Sequence, residues 1–175
     1  MLLIIKILAL LLIVGLSSFI GTLIANKYNV RVKELEDLIS ALELLETRVK
    51  YTYDTIADSF AFVADNMKTK AYRIFMITAA SLDESKNMSA GDVFRNVALE
   101  EGNFLDLSKD DVEVLMVLGT SLGQMDLEGQ LKNIALVREL LGKQLNEALD
   151  EKNKNYKLSR NMGVFVGLVI MIILV

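Results

Sequence analysis

The sequence predicts an all-α protein, a helical bundle with an apolar helix at each end. Three observations carry this. The 175 residues contain no proline, so long helices can run without the ring that breaks them. Apolar residues recur at spacings of three and four through the middle of the chain, the signature of amphipathic helices. No stretch alternates with period two for long enough to make a strand.

At the N-terminal end, residues 2–25, "LLIIKILALLLIVGLSSFIGTLIA", carry one charge, Lys6. Roughly 20 apolar residues cross a hydrocarbon core of about 30 Å, so this stretch is long enough to span. A cleaved signal peptide has a shorter apolar centre and a small-residue cleavage site, and "ANKY" is a poor site. An uncleaved anchor over 1–25 is expected.

The segment 162–175, "MGVFVGLVIMIILV", is equally apolar. Fourteen helical residues rise only about 21 Å, short of a full crossing. Lys157 and Arg160 precede it, where long basic side chains can snorkel to the headgroups. A short C-terminal span over 162–175 is expected, with a shallow insertion as the alternative.

Basic residues flank the middle on both sides: Lys27, Arg31 and Lys33 within 26–33, and Lys152, Lys154, Lys157 and Arg160 within 152–161. Positive flanks stay on the cytoplasmic side, so 26–161 is expected to be a cytosolic domain. All 23 acidic residues fall between them, within 34–151, against 11 basic ones, a local charge near −12. Such a head repels nucleic acid and attracts a basic partner.

Within the middle, Leu35, Leu38, Ile39, Leu42, Leu45 and Val49 share one helix face. Ile56, Phe60, Val63 and Met67 continue the pattern, as do Ala71, Ile74, Phe75, Thr78 and Leu82. Ser89 with Asp92, and Ser108 with Asp111, have the spacing of helix-start capping boxes. Leu115, Leu118 and Leu122 close one helix, with Gly119 inside it packed against a neighbour and Gly123 free to turn left-handed. Asp126 then caps a helix whose stripe is Leu127, Leu131, Ile134, Leu141, Leu145 and Leu149. That helix has no evident stop before the C-terminal apolar segment, which makes it a candidate rod between head and tail.

The break "LGTSLGQMDLEGQLKNI", 118–134, is therefore structural. A phosphate loop needs Gly-x-x-x-x-Gly-Lys-Ser/Thr after a strand, and a calcium loop needs denser oxygen ligands than "DLEGQ" offers. Histidine and cysteine are absent altogether. A zinc site, a His base, a Cys nucleophile and a disulfide are thereby excluded. No catalytic, metal or cofactor-binding residue is expected. Asp110 and Asp111 could form an acid–base pair, but at a helix start they favour the macrodipole. In the apolar ends, Ser17 with Gly21 and Gly163 with Gly167 are small-xxx-small pairs suited to close helix packing in lipid.

In this order, an apolar N-terminal segment, "RVKELEDLISALELLETRVKY", the helix break, a long final helix and a short apolar end, the chain resembles the stage III sporulation protein AB family. The most specific pattern is carried by Leu118, Gly119, Leu122, Gly123, Asp126 and Gln130. Glu46 and Tyr51 match a second motif, in which Arg48 replaces a glutamate. The family's frequent proline after that tyrosine is missing, and Phe94 stands where it tends to carry tryptophan.

The resemblance implies a six-helix cytosolic bundle similar to the cytoplasmic domains of the platform protein of type II secretion and type IV pilus machines. It implies a non-catalytic scaffold in the mother-cell membrane around the forespore, within the channel that joins the two cells. Its implied partners are a secretion-type ATPase, stage III sporulation protein AA, and the other subunits of the stage III sporulation A channel. Candidate contacts are Glu43 and Glu46 beside the first apolar face, and Asp126 and Gln130 at the break. The alternative is a membrane-tethered regulator whose bundle binds a signalling partner.

Overall fold

The computed structural model describes residues 2–52, 54–84 and 88–174; side chains at 2–11, 13, 14, 83, 84, 157, 160, 163, 164, 167, 168, 171, 173 and 174 lie outside the description. Within it there are six helices and no strand: α1 (Leu2–Tyr51), α2 (Ile56–Asn66), α3 (Tyr72–Glu84), α4 (Ala90–Gly102), α5 (Lys109–Leu118) and α6 (Leu127–Leu174). The chain divides into two compact units, Arg31–Glu147 and the pair Met1–Val30 with Ala148–Val175.

The first unit is the bundle. The middle four helices are short, and α2, α4 and α5 each start on a side-chain cap. Thr55 caps α2 by accepting from the Asp58 backbone N–H, and Ser89 caps α4 by accepting from Asp92. Ser108 caps α5 with a reciprocal box, the Asp111 carboxylate accepting from the Ser108 N–H at 2.8 Å. Each such bond satisfies a helix-end donor that has no partner inside the helix. At the start of α6, Asp126 Oδ1 accepts from the Gly129 N–H at 2.9 Å.

Helix α2 packs on α3, α3 on α4, and α4 on α5. Three rings fill the centre. Phe60, Phe75 and Phe94 lie with centroids 5.4, 5.6 and 6.3 Å apart, two of the three pairs edge-on, and all are fully buried. Edge-to-face contact is the geometry the ring quadrupole favours. Leu35, Leu38, Leu42 and Leu45 of α1 and Ile134, Val137 and Leu141 of α6 complete the core. The α1 face matches the periodic reading. The α6 stripe does not match throughout: Leu127, expected in it, is 53% exposed. It stands in the first turn of α6, where it lines a surface cleft instead of the core.

The break also departs from the sequence reading: the helix expected to run to Leu122 ends at Leu118. Gly119 is not inside α5 but is its C-cap, and Gly123 has φ of 73°, the left-handed conformation. Gly119 lies against Gly91 of α4. A Cβ on Gly91 would fall 1.9 Å from the Gly119 carbonyl oxygen, and one on Gly119 2.6 Å from that of Gly91. Two backbones touch there, and neither tolerates a side chain.

In the second unit, the N-terminal part of α1 and the C-terminal part of α6 border a groove lined by Ser17, Ile20, Gly21, Ile24, Leu158, Ser159, Met162 and Val166. Ser17 and Gly21 thus line this groove together with the larger Met162 and Val166. The packing expected at Gly163 and Gly167 lies outside the described side chains. Leu12, Leu16, Phe19, Ile20, Leu23, Phe165 and Ile172 are all more than half exposed. Among the described residues no helix is long and apolar enough to cross a membrane. The apolar stretch at 2–25 falls in large part on side chains outside them. Residues 152–158 continue as helix within α6.

Candidate docking cleft at the helix break

A cleft of about 250 Å³ opens where α1, α2 and α6 meet the break. Leu45 and Val49 come from α1, Ile56, Ser59 and Phe60 from α2, Leu122 from the break, and Leu127 and Gln130 from α6. Thr52 and Asp54, in the α1–α2 connection, form its polar edge. The break itself is packed from beneath: a Cβ on Gly123 would sit 3.8 Å from Ile56 Cδ1 and 3.5 Å from Ala90 Cβ. Both are side-chain contacts of ordinary van der Waals length, and the wall of the cleft is mainly aliphatic and aromatic with polar groups along its edge.

Of the expected contact residues, Gln130 lines the cleft. Its side-chain amide donates to the Met125 carbonyl at 3.0 Å, which ties the break to the first turn of α6. Asp126 is occupied as the cap of that helix. Glu43 and Glu46 sit on the α1 side of a seam with α6. Arg138 Nη1 donates to Glu46 Oε2 at 2.9 Å and lies 3.9 Å from Glu43 Oε1. So these two glutamates face a cation of their own chain, with Glu43 the more exposed.

Arg48 holds the cleft's edge. Its guanidinium pairs with Asp54 and lies 4.1 Å from the centroid of the Phe62 ring, while its Nε is buried without a partner. This is the position at which the family motif carries a glutamate. An arginine there can both pair with Asp54 and stack on an aromatic face, which a carboxylate cannot.

A second polar centre escaped the sequence reading. Arg31, read as part of a basic flank, is buried. Its Nε donates to Asp111 Oδ2 at 2.8 Å and its Nη2 to Oδ1 at 3.0 Å. The same Nη2 reaches Ser108 Oγ at 3.3 Å and Gln144 Oε1 at 3.4 Å. One guanidinium thereby joins α1, the start of α5 and α6. The signal was available: Arg31 precedes Leu35, Leu38 and Leu42 at helical spacing and so falls on the buried face.

Glu34, one turn on, is also buried, at 1% exposure. It accepts from the Asp106 backbone N–H at 3.1 Å. Burial raises its carboxyl to about 7, with the Asp106 charge adding to the rise and that N–H and Lys70 opposing it. Elsewhere the Ser89 hydroxyl, and then Arg95, hold the Asp92 carboxyl below its usual range. Among the described residues no group of carboxylates has the arrangement of a metal site.

The chain was compared with known proteins. The family model described as Stage III sporulation protein AB matches residues 6–175. Stage III sporulation protein AB of Bacillus subtilis (strain 168) is 25% identical over 169 residues, covering 97% of this chain and 98% of that protein. A solved structure of Stage III sporulation protein AB shares the fold, with TM-score 0.66 and 23% identity over 71% of this chain and 98% of that one.

Proposed function

We propose a function from one premise: the chain belongs to the stage III sporulation protein AB family. That membership supports a role in sporulation. The function is that of a non-catalytic platform subunit in the mother-cell membrane around the forespore. Its apolar ends lie in lipid, and its acidic bundle docks a secretion-type ATPase, stage III sporulation protein AA, beneath the channel formed with the other stage III sporulation A subunits.

The observation that carries this reading is the cleft. The family pattern supplies Leu122 and Gln130 to its wall, and Met125 and Leu127 beside it are about half exposed. An apolar cleft with a polar rim, on a domain of local charge near −12, suits a partner that offers an apolar anchor within a basic surface. The membrane part rests on the exposed apolar side chains of α1 and α6 noted above, which a water-facing surface would not gather so densely. Both helices run without interruption, 50 and 48 residues.

The test is co-purification of the ATPase with the full chain in detergent. Leu127→Lys with Gln130→Glu changes the cleft without touching the core. Recovery of the ATPase falls at least tenfold if an anchor worth roughly 2 kcal/mol sits there. Unchanged recovery, with helicity intact, removes the cleft as the docking site.

A tethered regulator is the second reading, and Glu34 is what favours it. A buried carboxyl that changes charge near neutrality is an unusual feature for a passive scaffold. Residence of the chain in a large complex at fixed stoichiometry, found by crosslinking in sporulating cells, would decide for the platform.

A further inference from the structure

Eight polar side chains are buried among the described residues of the bundle. Seven are bonded. Arg31 donates to Asp111, Glu34 accepts from the Asp106 N–H, and Glu101 accepts from Arg73. Thr78 donates to the Ile74 carbonyl at 2.7 Å, and Asn133 donates to the Ser121 hydroxyl and to two carbonyls. The eighth is Ser59 of α2, 3% exposed. Its backbone N–H donates to the Thr55 carbonyl at 3.0 Å, but among the described residues its hydroxyl has no partner.

A serine inside a helix commonly turns its hydroxyl back to the carbonyl four residues earlier. Ser40, Thr47 and Thr78 do so in this bundle, and Ser59 does not. Nor is the hydroxyl sealed in. Arg48 Nε is the one closed-off side-chain atom without a partner among the described residues, so Ser59 Oγ keeps access through the cleft it lines.

The other polar groups of that cleft are engaged by their own chain. Thr52 donates to the Arg48 carbonyl at 2.7 Å, Asp54 pairs with Arg48, and Gln130 donates to the Met125 carbonyl. Leu45, Phe60 and Leu122 in its wall are each at most 3% exposed. A charged tip entering here would exchange its water for a single hydroxyl, which does not offset the loss. A wholly apolar tip would close the hydroxyl in without a bond. A ring that ends in one neutral hydrogen-bonding group meets both demands, and about 250 Å³ holds one such ring. Tyrosine has that form, an apolar body with a phenol that donates and accepts.

We infer that the cleft takes a tyrosine side chain of the docking partner, its ring against the apolar wall and its phenol oxygen hydrogen-bonded to Ser59 Oγ. The inference takes from the proposed function only that this cleft docks a partner, and it names the anchor. Ser59 is then the residue that selects tyrosine over phenylalanine.

The test uses the full chain in detergent. N-acetyltyrosinamide and N-acetylphenylalaninamide are titrated while the methyl resonances of Ile56 and Leu127, both on the cleft, are followed by NMR. The tyrosine compound is expected to bind about fivefold more tightly, the worth of one neutral hydrogen bond. Ser59→Ala is expected to remove that preference and to lower recovery of the ATPase by a similar factor. Its urea midpoint should be unchanged or slightly raised, because no bond within the chain is lost.

Absence of binding, equal binding of the two compounds, or a preference that survives Ser59→Ala overturns the inference. So does a lowered urea midpoint for Ser59→Ala, which would mean that the hydroxyl is bonded inside the fold. If Leu127→Lys with Gln130→Glu abolishes recovery of the ATPase and Ser59→Ala leaves it unchanged, the cleft remains the docking site and the tyrosine anchor falls. If neither variant alters recovery but the Ser59-dependent preference for the tyrosine compound is found, the anchor site stands and a partner other than the ATPase owns it.

Discussion

The bundle deals with its buried polar groups in two contrasting ways. Around Arg31 it buries ionisable side chains: a guanidinium against Asp111, and the Glu34 carboxyl against a backbone N–H. Around the break it buries backbone, with Gly91 against Gly119 and the Asn133 amide donating to the carbonyls of Val117 and Leu118 at 3.2 and 3.1 Å. The first arrangement depends on side-chain chemistry, because one missing partner strands a charge in the interior. The second depends on shape, because the groups are neutral and only a new atom can offend. The bundle is thus sensitive to different substitutions at its two sites.

The largest effect should come from Asp111→Ala. Removing the acid takes from Arg31 the carboxylate it meets at 2.8 and 3.0 Å and from the Ser108 N–H its cap, a loss of about 3–5 kcal/mol, readable as a lower urea midpoint. Arg31→Met with Asp111→Leu should recover most of that stability. If the double variant is as unstable as the single one, the site serves for more than charge matching.

Glu34 sharpens the same side. Its folded carboxyl is raised to about 7 from 4.5, so the folded state holds a proton that the unfolded state has released. Stability is therefore greatest at or below pH 4.5 as far as this group is concerned, and falls as pH rises through 7. The full fall is about 3 kcal/mol. Glu34→Gln should flatten the midpoint between about pH 5 and pH 8. An unaltered profile would mean that the carboxyl titrates normally.

On the other side, Gly91→Ala forces a methyl group onto the Gly119 carbonyl and should cost about 1–3 kcal/mol through displaced backbone. A smaller penalty would mean that α4 and α5 can part easily. The smallest effect is expected at the α1–α6 seam. Arg138→Ala removes a partly exposed pair with Glu46 and should change stability by less than about 1 kcal/mol.

The two sites were also unequally legible. Gly119, Gly123 and Asp126 advertise a break because glycine and capping residues have local meaning, although the helix ends at Leu118 and not at Leu122, one glycine earlier than read. The apolar face of α1 was equally plain. Arg31 was misread since basic residues after an apolar segment have a ready explanation at the membrane, and its partner is 80 positions away. No local rule links 31 to 111. Gly91 was missed for a similar reason, as its contact is with Gly119 on the next helix. Gln130 was reached through the family pattern, but the cleft it lines depends on how α1, α2 and α6 converge, which spacing alone does not determine.

The three central rings have a consequence for how the molecule opens. Phe60, Phe75 and Phe94 belong to α2, α3 and α4, and each ring touches both of the others. Releasing any single helix breaks two of the three contacts, so partial detachment gains little freedom for what it loses. The amide hydrogens of these helices should accordingly exchange as one block, at one rate, leaving no stepwise route by which the middle of the chain could be peeled apart.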